Sequence, residues 1–201
     1  MLPTIYLARH GETAWTLTAQ HTGLTDLLLT PQGELDAAKL GPRLAGIQFE
    51  TVWTSPLQRA SRTCALAGFA PVANVDPDLV EWDYGDYEGL RSQEIRAKDP
   101  NWKLFRNGAP NGESIETITA RADRVVTRLR AINGNALLFS SGHFLRVLAT
   151  RWIGLPLSPH CISFLLGAAS LSALSYEHSL ERPVVSLWND THHLRNSDTH
   201  K

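Results

Sequence analysis

Three short apolar runs in this chain stop abruptly, and each leads at once into a polar cluster and then into helix-patterned sequence. "TIYLA" (4–8) leads into Arg9, His10 and Gly11; "TVWTS" (51–55) into "SPLQR" with Arg59; and "NALLFSS" (135–141) into Gly142 and His143. Strand-like runs alternating with longer amphipathic stretches specify an α/β fold with helices on both faces of a mostly parallel sheet. The expected architecture is a three-layer α/β/α sandwich. In such sheets ligands sit beyond the carboxyl ends of the strands. Arg9, His10, Arg59 and His143 are therefore expected to share one rim.

The intervening segments fit that plan. "LTPQGELDAAKLGPRLAG" (29–46) reads as a helix with Thr30 as N-cap, Pro31 at its first position and Leu35, Ala38 and Leu44 on its apolar face. "SPLQRASRTCALAG" (55–68) reads as a second, with Ser55 as N-cap, Pro56 at the first position and Gly68 as its stop. "VDPDLVEWDYGDYEGLRSQE" (75–94), punctuated by Gly85 and Gly89, reads as a long loop with brief strand character at its start. In "ESIETITARADRVVTRLRAI" (113–132), Ile115, Ile118, Ala122, Val125, Val126 and Leu129 fall on one helical face. "GHFLRVLATRWIGL" (142–155) returns to helix. "SLSALSYE" and "PVVSLWN" read as a strand pair, and residues 190–201 as a loose polar tail. No repeat or linker divides the 201 residues, so one domain spanning 1–201 is expected.

The formal net charge is −1, so no global field recruits nucleic acid or an anionic membrane. Any attraction for an anion must be local. The longest quasi-apolar stretch, Ser163 to Leu174, is shorter than the ~20 residues of a membrane helix, and "MLPTIYLARH" lacks the marks of a secretory leader. A cytoplasmic protein without nucleic-acid or membrane partners is expected. Of the two cysteines, Cys64 and Cys161, the first reads as a buried free thiol. His192, His193 and His200 lack carboxylate or cysteine partners at ligand spacing, so no metal site is expected.

Two arginines, two histidines and a carboxylate on one rim suit phosphoryl transfer. Arginine matches phosphate oxygens bidentately and stays charged. A neutral imidazole is a competent nucleophile toward phosphorus. Charge spread over the equatorial oxygens needs clamping, and a leaving alkoxide needs a proton, which Glu81 is placed to supply. Taken singly these residues have plainer readings: His10 as a packed histidine, Arg59 and Arg62 as solvated helix residues, Glu81 as one loop acid beside Asp83, Asp86 and Glu88. Trp82, Tyr84 and Tyr87 either pack that loop or line an aromatic mouth.

The set resembles the histidine phosphatase superfamily, which includes the cofactor-dependent phosphoglycerate mutases and many phosphatases. "LARHGETAW", "TGLTDLLLTPQGELDA", "TSPLQRASRT", "LVEWDYGDYEGL", "NGESIETITAR" and "SSGHFLRVLATRWIGL" occur in that family's order. The resemblance implies a phosphoglycerate mutase-like fold and His10 as the phosphorylated residue. It also implies Arg9, Arg59 and His143 as the phosphate pocket, with Glu81 as proton donor and acceptor. Thr13, Thr16, Thr22, Gly23, Trp82, Tyr84, Arg91 and Phe144 are the implied substrate-side positions. The first turn of the helix after Gly142 is also expected to offer N–H groups to phosphate.

The chain departs from the mutase pattern in three places. It lacks the long insertion between "EGL" and "GES"; it has Arg91 and Ser92 where mutases have Asn-Lys; and it has Thr16 where they have Asn. "EWDYGDYEG" is similar to a subgroup that includes sedoheptulose-1,7-bisphosphatase-like and broad-specificity acid phosphatases. The expectation is a cofactor-free phosphomonoesterase for small esters, sugar phosphates first, with water as acceptor. The alternatives are a mutase and a non-catalytic phosphate-binding module. Oligomeric state is left open.

Overall fold

The computed structural model describes residues 2–195. Six strands form one sheet in the order β3-β2-β4-β1-β5-β6, comprising β1 (Ile5–Arg9), β2 (Phe49–Thr54), β3 (Ala73–Val75), β4 (Asn135–Ser140), β5 (Leu171–Tyr176) and β6 (Pro183–Asp190). β1 to β4 run parallel to one another, and β5 and β6 add an antiparallel pair at the β1 edge. The pairing of Leu7 with Leu138 and of Arg9 with Ser140 brings β1 and β4 to an end side by side. Their two following segments therefore open onto one rim, as the sequence pattern implies.

Alternation along the central strands divides the core in two. Ile5, Leu7, Ala136 and Leu138 face a layer built from α6 (Ile115–Arg130) and α7 (Gly142–Trp152), including Ile118, Val125, Leu145 and Trp152. Ala8, Leu137 and Phe139 face the opposite layer of α2 (Pro31–Leu44) and α3 (Gln58–Leu66), with Leu40, Leu44 and Cys64. These are the three layers expected. Both strands are apolar at nearly every position because both of their faces are covered.

Several local expectations are corrected. The buried face of α2 is Gly33, Ala37, Leu40 and Leu44, whereas Leu35 is exposed. The face turns to Gly33 because the backbone of Gly11 and Glu12 packs onto the first turn of α2. A Cβ on Gly11 would lie 2.4 Å from the Gly33 carbonyl oxygen, and one on Gly33 2.3 Å from that of Glu12. Gly11 thus serves close backbone packing. α3 starts at Gln58 with Leu57 at its N-cap, later than Ser55, whose hydroxyl instead accepts the Leu57 N–H. The long loop holds 3₁₀ turns at Pro77–Leu79 and Gly85–Tyr87, and its end runs into α4 (Ser92–Lys98). Beyond it lies α5 (Leu104–Asn107). Residues 190–195 are not loose. Asp190 ends β6 and pairs with Arg43 at 3.0 Å, and His192–Leu194 form a 3₁₀ turn. The remainder of the expected tail, with His200, lies outside the described residues.

Candidate active site

A cleft of about 840 Å³ opens where β1 and β4 end, within the size range of small-molecule sites. Arg9 and His10 reach it from β1, Gly142, His143 and Arg146 from α7, and Glu81 and Tyr84 from the loop after β3. Trp15, Thr16 and Ala19 from α1 (Ala14–Thr18) and its C-cap form one wall. Trp102, Leu104 and Phe105 stand opposite.

His10 is almost fully buried, and its backbone N–H donates to Ser140 at 3.0 Å, tying the end of β1 to β4. Its Nδ1 lies 2.7 Å from the carbonyl oxygen of Gly11. A carbonyl only accepts, so Nδ1 carries the hydrogen and Nε2 keeps its lone pair. Burial, then the positive charges of Arg59 and Arg9, push the imidazole well below its usual pKa of 6.5. His10 is therefore neutral, with its free nitrogen available as a nucleophile.

His143 is tuned by a different partner. Tyr84 Oη lies 2.6 Å from His143 Nδ1. Burial and the nearby Glu81 charge push the phenol well above its usual range, so it stays protonated. A buried phenolic hydrogen needs an acceptor, and Nδ1 is the one it meets. His143 then carries its own hydrogen on Nε2. Burial, followed by the charges of Arg146, His21 and Arg9, holds this histidine well below 6.5 too. Two neutral imidazoles thus have opposite tautomers, one an acceptor and one a donor.

Glu81 is held entirely by backbone. Its Oε1 accepts N–H groups from Trp82 at 2.9 Å and Phe144 at 2.7 Å, and its Oε2 accepts that of His143 at 2.9 Å. A carboxylate offers about four lone-pair sites, so one remains, on Oε2, to take or give a proton. Two of the first-turn N–H groups of α7 expected to meet phosphate, those of His143 and Phe144, are thus engaged by Glu81. The backbone around Glu81 is in turn clamped by Arg121, which donates to the carbonyls of Asp78, Val80 and Glu81 at 2.8, 2.7 and 3.3 Å. Arg121 also pairs with Glu113 at 2.6 Å, and its guanidinium lies over the Phe144 ring.

Arg9 donates one N–H to Leu166 O, while its Nε has no partner within the protein. Gly142 lets it lie against the start of α7, since a Cβ there would sit 3.2 Å from that Nε. Arg59 differs from expectation. It is fully buried, off the cleft wall, and donates to the carbonyls of Thr25, Thr22 and Gly23 at 2.9, 3.2 and 2.7 Å. Only its Nε is left unpartnered. Its charge still acts on His10, but its fork holds the 22–25 loop. Arg146, one helical turn after His143 and so on the same face of α7, lines the cleft with a buried, unpartnered Nε. The sequence reading missed it, although the three-residue spacing from His143 carried the signal.

The substrate-side expectations divide. Thr16, Thr22 and Tyr84 line the cleft; Thr13, Gly23, Trp82, Arg91 and Phe144 do not. Thr13 caps α1, its hydroxyl accepting the Thr16 N–H. Gly23 donates its N–H to the Glu88 carboxylate at 2.9 Å. Trp82 is fully buried and donates its indole N–H to Glu113 O at 2.8 Å. Arg91 sits at the N-cap of α4, and Phe144 packs under Arg121. His21 is a further cleft residue outside the expected set. It stacks near Tyr84 and His143, with ring centroids 4.8 and 5.9 Å apart, and burial, helped by the Arg96 charge, pushes it down to about 4.

The family model for the histidine phosphatase superfamily, branch 1, matches residues 5–191. The chain belongs to the histidine phosphatase superfamily. An acid phosphatase of Mycobacterium tuberculosis is 38% identical over 185 residues, covering 90% of each chain. The sedoheptulose 1,7-bisphosphatase of Saccharomyces cerevisiae is 29% identical over 252 residues, covering 93% of each. Among solved structures, an open-reading-frame product of M. tuberculosis superposes with a TM-score of 0.87 at 36% identity, over 93% of this chain and 97% of the other. In this histidine phosphatase, the cleft brings together Arg9, His10, Glu81 and His143 from the six ordered motifs.

Proposed function

We propose that this histidine phosphatase hydrolyses small phosphate monoesters, sugar phosphates first among them, by way of a phosphohistidine on His10. The observation that carries the reading is the Nδ1 hydrogen bond of His10 to Gly11. It leaves Nε2 unprotonated, in a cleft shared with Arg9, His143 and Arg146. In the first step, Nε2 attacks phosphorus while the ester P–O bond breaks, and the leaving oxygen takes the proton carried by Glu81. Arg9, Arg146 and the Nε2–H of His143 meet the charge on the equatorial oxygens. In the second step, water attacks phosphorus, its proton passes to the Glu81 carboxylate, and the P–N bond breaks to release phosphate and restore His10.

Two observations support water as the acceptor. Arg91, the residue most suited to replace the mutase lysine, lies off the cleft, and Ser92 contributes a neutral hydroxyl there. The acid phosphatase and sugar bisphosphatase relatives agree with that reading. The scheme takes no metal, because the arginines and histidines supply the positive charge. Among the described residues no three histidine, cysteine or carboxylate side chains are grouped to hold a metal ion.

The test is hydrolysis of p-nitrophenyl phosphate, with acid-labile, base-stable phosphate on the protein trapped at short times. Wild type should release phosphate and show the adduct, and His10→Ala should do neither. Equal rates in the two proteins overturn the nucleophile; transfer of phosphate to a phosphoglycerate in preference to water overturns the hydrolase reading.

A further inference from the structure

Arg9 and His10 reach the cleft from the end of β1, and residues 166–170, ahead of β5, are laid along that end. The Ser170 carbonyl accepts the Arg9 N–H at 3.1 Å, and the Ala169 N–H donates to the His10 carbonyl at 3.0 Å. The Leu166 carbonyl accepts a guanidinium N–H of Arg9. Both cleft residues are thus held by a segment that lies outside any helix or strand. Ala169, at its centre, is fully buried with φ at 50°, a left-handed geometry that a Cβ disfavours. Such a conformation persists where its surroundings over-determine it.

Those surroundings come from the far end of the chain. His193, in the 3₁₀ turn after β6, places Nε2 2.9 Å from the Ala169 carbonyl oxygen. A carbonyl only accepts, so Nε2–H donates. Its buried Nδ1 has no partner among the described residues. Ala169 therefore bridges two histidines, with its N–H on His10 and its carbonyl on His193. Asn189, near the end of β6, accepts the Gly167 N–H on Oδ1 at 2.7 Å and donates its own N–H to Ser172 Oγ at 3.0 Å. It too is left-handed, at φ 57°, a geometry asparagine tolerates. The turn is anchored on α2, where Arg43 pairs with Asp190 and Lys39 donates to the Leu194 carbonyl at 3.4 Å. Neither His193 nor Asn189 lines the cleft.

We propose that His193 and Asn189 are positioning residues for phosphoryl transfer, holding residues 166–170 against the end of β1 so that His10 and Arg9 are aligned on the phosphoryl group. The inference rests on the phosphohistidine reading of the cleft. Since neither residue touches substrate, their loss acts on alignment, which governs kcat more than KM.

The experiment measures kcat and KM on p-nitrophenyl phosphate for wild type, His193→Phe, His193→Gln and His192→Gln. Phenylalanine keeps the ring volume and donates nothing, whereas glutamine carries an N–H to about the place of Nε2. His192 is the exposed neighbour. In His193→Phe, kcat should fall by about fivefold, the scale of one hydrogen bond, with KM within about twofold of wild type. His193→Gln should recover most of the loss, and His192→Gln should match wild type. An unchanged kcat in His193→Phe, a loss carried by KM alone, or equal losses in His193→Phe and His193→Gln overturns the proposal. If His193→Phe does not fold, Asn189→Ala is read in the same way against Asn189→Asp, which keeps the oxygen acceptor. If wild type turns over no ester, the phosphohistidine reading fails, and amide hydrogen exchange decides the positioning. Faster exchange at Arg9 and Ala169 in His193→Phe, reversed in His193→Gln, upholds it; unchanged exchange overturns it.

Discussion

Glu81 Oε2 accepts the backbone N–H of His143 at 2.9 Å, so this cleft carboxylate is fixed to the helix that carries the second cleft histidine. The two residues are 62 positions apart and approach only because the loop after β3 crosses the start of α7. A shift in either one displaces the other. Glu81 and His143 are therefore positioned together.

Glu81→Gln removes the transferable proton and turns one acceptor oxygen into an NH₂ that faces backbone donors. For alkyl phosphates, whose leaving oxygen needs the proton, kcat/KM should fall by about 10²–10⁴-fold. For p-nitrophenyl phosphate, a good leaving group, the loss should be under about tenfold. Steady-state rates on both esters check this, and equal losses would remove Glu81 as the acid.

Tyr84→Phe removes the donor that holds His143 Nδ1 as an acceptor. A hydrogen bond of about 1–1.5 kcal/mol corresponds to roughly tenfold in rate. kcat should drop by that order because the Nε2–H tautomer of His143 loses its support. Nitrogen-15 NMR of the imidazole should show Nε2–H in wild type and a mixture in the variant. An unchanged tautomer with a lowered rate would place the role of Tyr84 in packing alone.

Arg121→Met leaves Glu113 buried without its ion partner and frees three carbonyls beside Glu81. Removing one member of a buried pair costs about 3–5 kcal/mol. Chemical denaturation should show that loss, with Arg121→Lys recovering part of it. A loss below about 1 kcal/mol would show that the clamp is dispensable.

Treatment with EDTA should leave hydrolysis of p-nitrophenyl phosphate unchanged, since arginine and histidine supply the positive charge. Loss of activity that Mg²⁺ restores would contradict the scheme.

The strand ends were legible because parallel neighbours converge at their carboxyl edge, so "RHG" and "SSGH" point to one place whatever the loops do. The placement of Arg59, Trp82 and Gly23 off the cleft lining was not. Motif membership does not separate a residue that lines the cleft from one that holds the loop beside it. The donors of Arg59 go to carbonyls 34–37 positions away, a pairing no local pattern encodes. The same holds for the first turn of α7: its N–H groups look free for an anion until Glu81 arrives from another element. On α2, weighting Leu35 over Gly33 misplaced the face, because hydropathy does not register the backbone contact between Gly33 and Glu12.

Protonation of the histidines sets the pH response of both rate and stability. Burial holds His10 and His143 well below 6.5 in the folded protein, so His10 stays neutral under mild acid. Activity should persist below the ordinary histidine value of ~6.5, and an acid limb centred at or above that value would contradict the buried site. For stability the sign follows from proton counts. Below 6.5 the unfolded chain binds protons that the folded His10, His143 and His21 refuse, so stability is fully present above 6.5 and is lost as pH falls. For His21 the window runs from 6.5 to about 4. Melting temperature should decline across that window. His21→Gln should flatten the decline, because an uncharged amide has no proton to gain; a variant curve parallel to wild type would show that His21 is not held neutral by its burial.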